Sequence, residues 1–388
     1  MKLFVLLSRF PYPLEKGDKL RAYHQIKELS KNNEVHLCAI SDVAISEEQR
    51  KELAPYCQSI KVIQLSKIMM YWNVFLGIFF SKLPFQVLYF YSKRAKKEIE
   101  DAIKINQIEH IFCQLIRTSE YVKNIQHIPK TLDYMDALSR GMERRVENSP
   151  FYLKPFIKIE ALRLKKYEHF IFNYFDRKVI ISEQDRDLIV NVHNDTIEII
   201  PNGVEHDFFK AQPTEKKYDL IFTGNMSYEP NVISVEYLAN EILPLVKQSI
   251  PNIQLVIAGA SPSNRVKALS NDNVTVTGWV EDIRDYYNAA KIFVAPMLIG
   301  TGLQNKLLEA MAMQLPCVTS ELANNALGAT NGKDILIGGN TEEYARHIVS
   351  LMQKKDLAIA IANNGFNYVN QTFSWKNSTE KLEQLFKK

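Results

Sequence analysis

Short apolar runs alternate with amphipathic, charged stretches along the whole chain, and this alternation constrains the fold more than any other feature. In the first half, apolar runs lie at 2–8, 34–40, 110–114, 130–135, 178–182 and 197–201. They are continuous rather than alternating, which is typical of parallel strands buried on both faces. The stretch 18–31, between the first two runs, has apolar residues at helical spacing. The pattern therefore predicts βαβ units with right-handed crossovers.

The pattern restarts after Pro201-Asn202-Gly203 and a turn-rich linker around 212–214. A second series of apolar runs follows at 218–224, 254–259, 274–278, 291–296, 316–320 and 335–339, with helices predicted at 232–246 and 306–313. A chain of 388 residues is long enough for two domains. We therefore predict an α/β protein of two doubly wound, Rossmann-like domains. Because ligands bind beyond the carboxyl ends of such strands, we expect the two domains to face a cleft.

Charge and cysteine content narrow the class of protein. There are 48 Lys and Arg against 44 Asp and Glu, a net charge of +4, which is too small for a general nucleic-acid binder. The four cysteines, Cys38, Cys57, Cys113 and Cys317, form no CxxC pair, and the histidines lack metal-ligand spacing. A disulfide scaffold or zinc cluster is not indicated, and a reducing, cytoplasmic location is expected.

Neither of two apolar segments fits a targeting signal: 2–7 does not match a secretory signal peptide, and 68–80 does not match a membrane-spanning helix. The run at 2–7 ends at once in Ser8-Arg9 and a Pro-Tyr-Pro turn, with no small-residue cleavage site, so it is interpreted as a first strand. The run 68–80 stops at Lys82 and Pro84, short of the ~18 apolar residues that a bilayer span requires.

The stretch 296–312, PMLIGTGLQNKLLEAMA, is the most informative for chemistry. It leaves a predicted strand, turns through Gly300-Thr301-Gly302 and enters a helix. A helix N-terminus offers free backbone N–H groups and a partial positive charge, which suit a phosphate. Lys306 adds a full charge in the first turn, where a cation is otherwise unfavourable, and Glu309 could accept hydrogen bonds from a ribose diol. The alternative is an ordinary helix with a surface Lys–Glu pair.

This stretch resembles the signature of nucleotide-sugar glycosyltransferases of family 4, which have the GT-B fold. GTGLQNKLLEAMA is similar to the second half of their Glu–seven residues–Glu pattern, with Glu309 at the second Glu and Thr301 in place of the first. Four further segments resemble the family, 201–209, 222–231, 277–296 and 9–24, the last in a subgroup linked to exopolysaccharide synthesis. The resemblance implies an acceptor-binding domain at 1–207, a nucleotide-sugar-binding domain at 208–370 and a C-terminal helix at 371–388 that could return to the first domain.

The resemblance also implies a reaction and its site residues. It implies transfer of a sugar from a nucleoside diphosphate sugar to a glycan or lipid-linked acceptor, with retention of configuration. Since the histidines lack metal-ligand spacing, neither a metal nor another cofactor is expected. The residues assigned to catalysis are Lys306, Thr301 and Asp133. Those assigned to the nucleotide sugar are Gly17, Gly224, Asn225, Gly278, Trp279, Val280, Gly300, Gly302, Lys306, Leu307 and Glu309. Asn225 and Pro230 stand where many family members carry Arg and Lys, so Lys306 would carry more of the charge neutralisation.

Polar residues also follow two predicted strands of the first half. The loop 11–21 carries Gly17 among basic residues. This pattern fits a phosphate-facing loop and a solvated turn equally well. Asp133, Asp136 and Ser139 follow the run 130–135. We expect Asp136 or Ser139 to cap the next helix and Asp133 to contact the acceptor. Glu183 is interpreted as a helix-start residue.

Segments 68–90 and 151–175 combine aromatic residues with lysines and arginine. Such segments can lie in an anionic bilayer interface, or they can pack inside the first domain with their lysines solvated. The hypothesis that follows is a peripheral location on the inner face of the cytoplasmic membrane, where a lipid-linked acceptor would be found.

Two other functions fit the same fold. A nucleotide-sugar epimerase would need carboxylates and a histidine around the sugar ring, and no such cluster is evident in the sequence. A non-catalytic, sugar-nucleotide-binding subunit of a polysaccharide assembly complex is suggested by Thr301 and the missing Arg and Lys. No nucleic-acid partner is expected.

Overall fold

The computed structural model describes residues 1–14, 16–147, 149–205, 208–299 and 302–387, and it leaves the side chain of Glu147 undescribed. The chain divides into two compact units. Unit 1 comprises Met1–Pro201 together with Trp375–Lys388, and unit 2 comprises Asn202–Ser374. The limits predicted at 207/208 and 370/371 lie a few residues from these.

Unit 1 is built on a seven-stranded sheet with the order β3-β2-β1-β4-β5-β6-β7, and every pair of neighbours is parallel. Its strands are β1 (Lys2–Leu7), β2 (Glu34–Ser41), β3 (Ser59–Gln64), β4 (His110–Gln114), β5 (Lys130–Asp133), β6 (Arg177–Ile180) and β7 (Glu198–Ile199). Strand β3 was not predicted. It lies at the edge of the sheet and is mostly half-buried, with Lys61 at its centre, so it lacks a continuous apolar run.

The helices of unit 1 follow the strands and cover both faces of the sheet. They are α1 (Gly17–Leu29), α2 (Glu47–Leu53), α3 (Lys67–Phe80), α4 (Phe85–Phe90), α5 (Lys93–Ile105), α6 (Ser119–Val122), α7 (Leu138–Glu147), α8 (Lys154–Phe172) and α9 (Glu183–Leu188). Short 3₁₀ turns lie at Ala54–Tyr56, Ile116–Thr118 and Asn194–Thr196. Phe4 and Leu6 of β1 belong to one apolar cluster, while Leu3 and Val5 belong to another. Because successive side chains of a strand point to opposite faces, the sheet is buried on both sides.

Unit 2 is built on a six-stranded parallel sheet with the order β10-β9-β8-β11-β12-β13. Its strands are β8 (Tyr218–Thr223), β9 (Leu255–Ala258), β10 (Val274–Gly278), β11 (Ala290–Ala295), β12 (Cys317–Thr319) and β13 (Leu336–Ile337). Each overlaps an apolar run of the second series. The helices are α10 (Glu229–Tyr237), continued by a π-helical turn at Leu238–Ile242, α11 (Leu243–Lys247), α12 (Asn264–Lys267), α13 (Ile283–Ala289), α14 (Asn305–Ala312), α15 (Glu321–Leu327), α16 (Thr341–Gln353) and α17 (Lys355–Thr372).

The last helix, α18 (Trp375–Lys387), belongs to unit 1. The Trp375 ring stacks on His24 of α1 with centroids 4.8 Å apart, and Phe386 packs on His110 at 4.5 Å. Leu382 is fully buried in the apolar cluster that contains Leu3 and Val5. Helix α18 therefore packs into the core of unit 1. The predicted α/β class with two parallel sheets is confirmed. Among the described residues, no helix combines the length and apolar character needed to cross a bilayer.

Candidate functional site

The order of the unit 2 sheet reverses direction between β8 and β11, and the carboxyl end of this junction is where doubly wound sheets bind ligands. Strand β8 is followed by Gly224 with φ of 152°, and β9 by Gly259 with φ of 142°. A Cβ atom on Gly259 would lie 1.9 Å from the Gly224 carbonyl oxygen, and one on Gly224 would lie 2.7 Å from Asn231 Nδ2. Both positions therefore require glycine, and the strand-end backbones pack closely at this edge.

Lys306 is the second residue of α14, so the predicted position in the first helical turn is confirmed. Its half-buried ammonium group donates a hydrogen bond to Asn231 Oδ1 and lies 4.8 Å from the centroid of the Phe222 ring. Asn231 is itself 4% exposed, and its Nδ2 donates to the Asn225 carbonyl oxygen at 2.9 Å. One buried amide therefore connects Lys306 to the loop that follows β8.

Lys306 has no ion-pair partner in the part of the chain that the structure describes, because no carboxylate there lies at ion-pair distance from its ammonium group. Burial lowers the pKa of Lys306 to about 7, and Glu309 opposes this effect. The helix dipole also disfavours a cation at a helix N-terminus. A bound anion would stabilise the charged form of Lys306 against both burial and the helix dipole.

Glu309 lies one turn along α14 and is oriented by a chain of hydroxyl groups. Tyr287 is fully buried, and its hydroxyl donates to Glu309 Oε2 at 3.0 Å and lies 2.7 Å from Thr223 Oγ1. Burial raises the pKa of Glu309, while Tyr287 and Lys306 lower it. Thr223, Tyr287 and Glu309 thus form one polar line from the end of β8 to the half-buried carboxyl group.

The remaining residues assigned to the nucleotide sugar have mixed positions. Gly278 ends β10 with φ of 75°, the following Trp279 is 68% exposed, and Val280 is half-buried. Gly302 has φ of 77° just before α14. Gly300 and Thr301 lie outside the described residues, so the assignments made to these two positions remain predictions.

The structure does not fit the expectation for Leu307. Its side chain is fully buried in the unit 2 core, and its backbone N–H donates to the Gln304 carbonyl oxygen at 2.9 Å. Neither group is available to a nucleotide sugar. In the sequence, Leu307 and Leu308 both stand between the polar Lys306 and Glu309, and only the packing shows which face each leucine occupies.

The structure also corrects the role expected for Asp133. Its carboxylate pairs with Arg21 of α1 at 2.6 Å, both side chains have no exposed surface, and its Oδ1 accepts a hydrogen bond from the Met135 N–H at 2.9 Å. A fully buried ion pair joins α1 to β5 and cannot contact an acceptor. Gly17, assigned to the same region, is the exposed first residue of α1.

Two predicted helix-start residues have different outcomes. Glu183 is the first residue of α9, as predicted, with the Ser182 side chain accepting the cap hydrogen bond from the Asp185 N–H. Ser139 does not cap α7, because it lies inside the helix and its hydroxyl donates to Glu168 Oε2 at 2.6 Å. Asp136 lies two residues before the first residue of this helix.

The sequence interpretation missed Asn231 and Tyr287, the two buried residues that orient Lys306 and Glu309. Asn231 is the last residue of the GNMSYEPN segment, but nothing in the segment shows that its amide points at Lys306. In the described part of the chain, no group of three or more His, Cys, Asp or Glu side chains could hold a metal ion. The metal-free site remains a prediction.

Comparison with known proteins gives a family match within unit 2. Residues 217–354 match the family model "Glycosyl transferases group 1", and this span contains the whole of the Lys306 site. Over 97% of both chains, the protein is 24% identical to an uncharacterized 44.6 kDa protein in the cps region of Klebsiella pneumoniae. It is 26% identical to an uncharacterized glycosyltransferase of Methanocaldococcus jannaschii over 60% of this chain and 66% of the relative.

Solved structures share the fold at low sequence identity. Sucrose-phosphate synthase from Thermosynechococcus elongatus superposes with a TM-score of 0.70 at 13% identity, covering 100% of this chain and 98% of the other. HepE of Anabaena in complex with UDP superposes with a TM-score of 0.69 at 13% identity, covering 100% of both chains. WaaG, a glycosyltransferase of lipopolysaccharide biosynthesis, superposes with a TM-score of 0.67 at 13% identity, covering 100% of this chain and 99% of the other. The two-sheet fold and the family match together support a glycosyltransferase of the GT-B class.

Proposed function

We propose that the protein is a retaining glycosyltransferase that moves a sugar from a nucleoside diphosphate sugar to a glycan or lipid-linked acceptor in cell-surface polysaccharide synthesis. The observation that carries the proposal is Lys306, a half-buried ammonium group at a helix N-terminus and at the sheet junction, with an amide in place of an acidic partner. Such a cation is costly unless an anion binds to it. HepE, which has a similar fold, is seen with UDP, so UDP is the first ligand to test.

In the proposed complex the donor lies on unit 2. The diphosphate contacts Lys306 and the N-terminus of α14, and the ribose hydroxyls donate to Glu309. The base lies near 278–280, where the exposed Trp279 ring offers a stacking surface.

The chemistry needs stabilisation of a leaving diphosphate. The bond from the sugar C1 to the phosphate oxygen breaks, and the new bond to the acceptor oxygen forms on the same face of the ring. The acceptor proton passes to an oxygen of the departing phosphate. Lys306 stabilises the charge that develops on this group, an electrostatic effect that is typically the largest single contribution to catalysis. In this proposal no metal is required.

The experiment measures UDP binding by titration calorimetry and donor turnover with a panel of nucleoside diphosphate sugars, with and without EDTA. We expect UDP binding, sugar transfer that EDTA leaves intact, and a product whose anomeric configuration matches the donor by NMR. Absence of binding to all nucleoside diphosphates would overturn the proposal. Binding without turnover on any acceptor would indicate the non-catalytic subunit instead.

We further propose that unit 1 docks on an anionic bilayer. Helix α3 and the segment before α8 leave large apolar side chains exposed: Trp72 56%, Phe79 68%, Phe80 85% and Phe151 83%. Helix α8 contacts the end of α3 and the loop after it, because Arg163 donates to the carbonyl oxygens of Gly77 and Leu83 at 3.0 and 3.1 Å. Exposed lysines accompany this apolar surface, at Lys67, Lys82, Lys158 and Lys166. Apolar rings beside lysines suit a surface of anionic lipid.

Vesicle sedimentation tests this docking. We expect the protein to bind vesicles containing anionic lipid at low salt, and the Phe79→Ser/Phe80→Ser variant to lose at least tenfold in binding. Ile359→Ser, which changes a 48% exposed apolar residue of unit 2, is the matched control and should bind like the wild type. Equal binding by all three proteins, or none by the wild type, would contradict the docking proposal and leave the donor site untouched.

A further inference from the structure

Helix α3 (Lys67–Phe80) carries its large apolar residues on the side that faces solvent. Within this helix, which the structure describes in full, only Met70 and Gly77 are buried. Four apolar side chains, three or four positions apart, are each more than half exposed: Ile68, Trp72, Phe75 and Phe79. A surface helix of a globular protein normally turns its apolar stripe toward the core. The outward stripe of α3 therefore marks an interaction surface.

The length and the flanking charges of α3 indicate how a bilayer fits this surface. Its 14 residues extend over ~21 Å, less than the ~30 Å apolar core of a bilayer, so the helix is too short to cross it. Exposed lysines stand at both ends, Lys67 as its first residue and Lys82 two residues after its last. No Asp or Glu occurs from 53 to 97. Apolar residues along a helix with cations at both ends suit a position parallel to an anionic surface.

Hydrogen bonds and a close backbone contact hold the inner side of α3, where little apolar surface is buried. Asn73 Nδ2 donates to the Tyr91 carbonyl oxygen at 2.8 Å, directly after α4. A Cβ atom on Gly77 would lie 2.2 Å from Leu88 Cδ1, so glycine lets α4 pack directly on the backbone of α3. The two helices therefore form a hairpin with the apolar stripe on its outer side.

Helix α8 ties down the turn of this hairpin with two residues that lie one helical turn apart. Arg163 donates to the carbonyl oxygens of Gly77 and Ile78, in the last turn of α3, at 3.0 and 3.2 Å. Glu160 is 3% exposed and accepts from the N–H groups of the first two residues of α4 at 2.6 and 3.0 Å. Backbone groups at helix ends need partners from outside their own helix. Helix α8 therefore fixes both the end of α3 and the start of α4.

We propose that α3 lies flat in the interfacial layer of the bilayer as a preformed helix, and that Glu160 and Arg163 are the positioning residues that hold it. This placement rests on the bilayer docking proposed above, and it adds the inserted element, its orientation and its supports. The rings of Trp72, Phe75 and Phe79 lie just below the headgroups. They already contact one another along the helix, with centroids 5.6 and 5.8 Å apart. Because α3 is folded beforehand, binding does not have to order it.

Trp72 reports the depth of α3. The full-length protein is bound to vesicles of phosphatidylglycerol and phosphatidylcholine whose acyl chains carry bromine either near the headgroup or near the terminal methyl. We expect bound protein to lose Trp72 fluorescence, and to lose more with the shallow bromine than with the deep one. Trp72→Phe should remove this difference, because it leaves only the signal of Trp279 and Trp375. Circular dichroism should show no gain of helix on binding.

Variants of the two positioning residues test the supports. In free Arg163→Met and Glu160→Gln we expect amide exchange in α3 to quicken at least tenfold while exchange in β1 stays unchanged. Vesicle binding should weaken at least fivefold, because the helix must then be ordered on the bilayer. Arg163→Lys, which keeps one donor group, should recover part of both losses. Arg186→Met changes a half-buried arginine of α9 that bonds only to neighbouring carboxylates, and this matched control should behave like the wild type.

The outcomes separate this placement from the docking itself. A wild-type protein that binds no vesicles would overturn both. Vesicle binding without quenching of Trp72, with stronger quenching by the deep bromine, or with a gain of helix would overturn the flat, preformed α3 alone. Unchanged exchange and binding in both variants would remove Glu160 and Arg163 from the proposal. Exchange that quickens in β1 as much as in α3 would also count against them, by pointing to a general structural role.

Discussion

The two sheets share the same topological junction but surround it with opposite charge arrangements. In unit 2 the junction holds Lys306, bound by an amide and an aromatic ring. In unit 1 two of the cations are matched by carboxylates, Arg21 by Asp133 and Arg9 by Asp18, whereas Arg117 donates to the Gln86 amide oxygen. In our proposal the sheet topology sets where the donor binds, and the partner of the cation sets which class of ligand that site favours. An uncompensated cation favours an anion, whereas compensated pairs favour a neutral polar molecule.

The largest expected effect tests the buried ion pair of unit 1, Arg21 with Asp133. Arg21→Met leaves the Asp133 carboxylate buried without its cation, which typically costs ~3–5 kcal/mol. We expect the free energy of unfolding, measured with urea, to fall by about this amount. Arg21→Met/Asp133→Leu should recover most of the loss, because an apolar pair needs no partner. A single variant as stable as the wild type would show that the pair is not structural.

The next effect tests Lys306 of unit 2, the cation that is bonded to an amide. Lys306→Met should weaken UDP binding by about a hundredfold, because a charge-assisted bond to phosphate contributes ~1.5–3 kcal/mol. Stability should be unchanged or higher, since methionine fills the same space without a buried charge. Titration calorimetry and urea unfolding measure the two quantities. Lys166→Ala, at an exposed lysine of unit 1, is the control, and equal UDP affinity in both variants would remove Lys306 from the site.

A third variant gives Lys306 a carboxylate partner like the one that Arg21 has, and its expected effect on UDP binding is smaller. Asn231→Asp places a carboxylate against the Lys306 ammonium group, as Asp133 stands against Arg21. The lysine pKa should rise, yet UDP affinity should fall by about tenfold, because the cation is already neutralised. Isothermal titration at pH 7 measures the loss. An affinity equal to that of the wild type would mean that compensation does not govern ligand choice here.

The smallest effect is a pH dependence. With a pKa of about 7, Lys306 is charged below that pH and largely neutral above it. A diphosphate favours the charged form, so binding above pH 7 must take up a proton, and UDP affinity should fall about fivefold from pH 7 to pH 8. Calorimetry in buffers of different ionisation enthalpy measures the uptake. Lys306→Met should abolish it, and an unchanged proton uptake in this variant would assign the titration to another group.

Much of the fold was predictable because both sheets are parallel and buried on both faces. Continuous apolar runs marked all the strands except β3, whose edge position lets Lys61 reach Glu98 at 3.4 Å. The candidate site was predictable to the level of Lys306 and Glu309, since charged residues in the first turns of a helix after a glycine bend form a local pattern. Their buried supports, Asn231 and Tyr287, come from other elements and carry no such pattern.

The amino-acid sequence by itself determined two parallel α/β sheets and the placement of a lysine at the start of α14, because hydrophobic periodicity and helix chemistry act over a few neighbouring residues. Only the tertiary structure decided which charges are compensated. It buried Asp133 against Arg21, 112 positions away, and it left Lys306 to an amide 75 positions away. Such pairings depend on which strands become neighbours, and burial then makes the presence or absence of a counter-charge decisive.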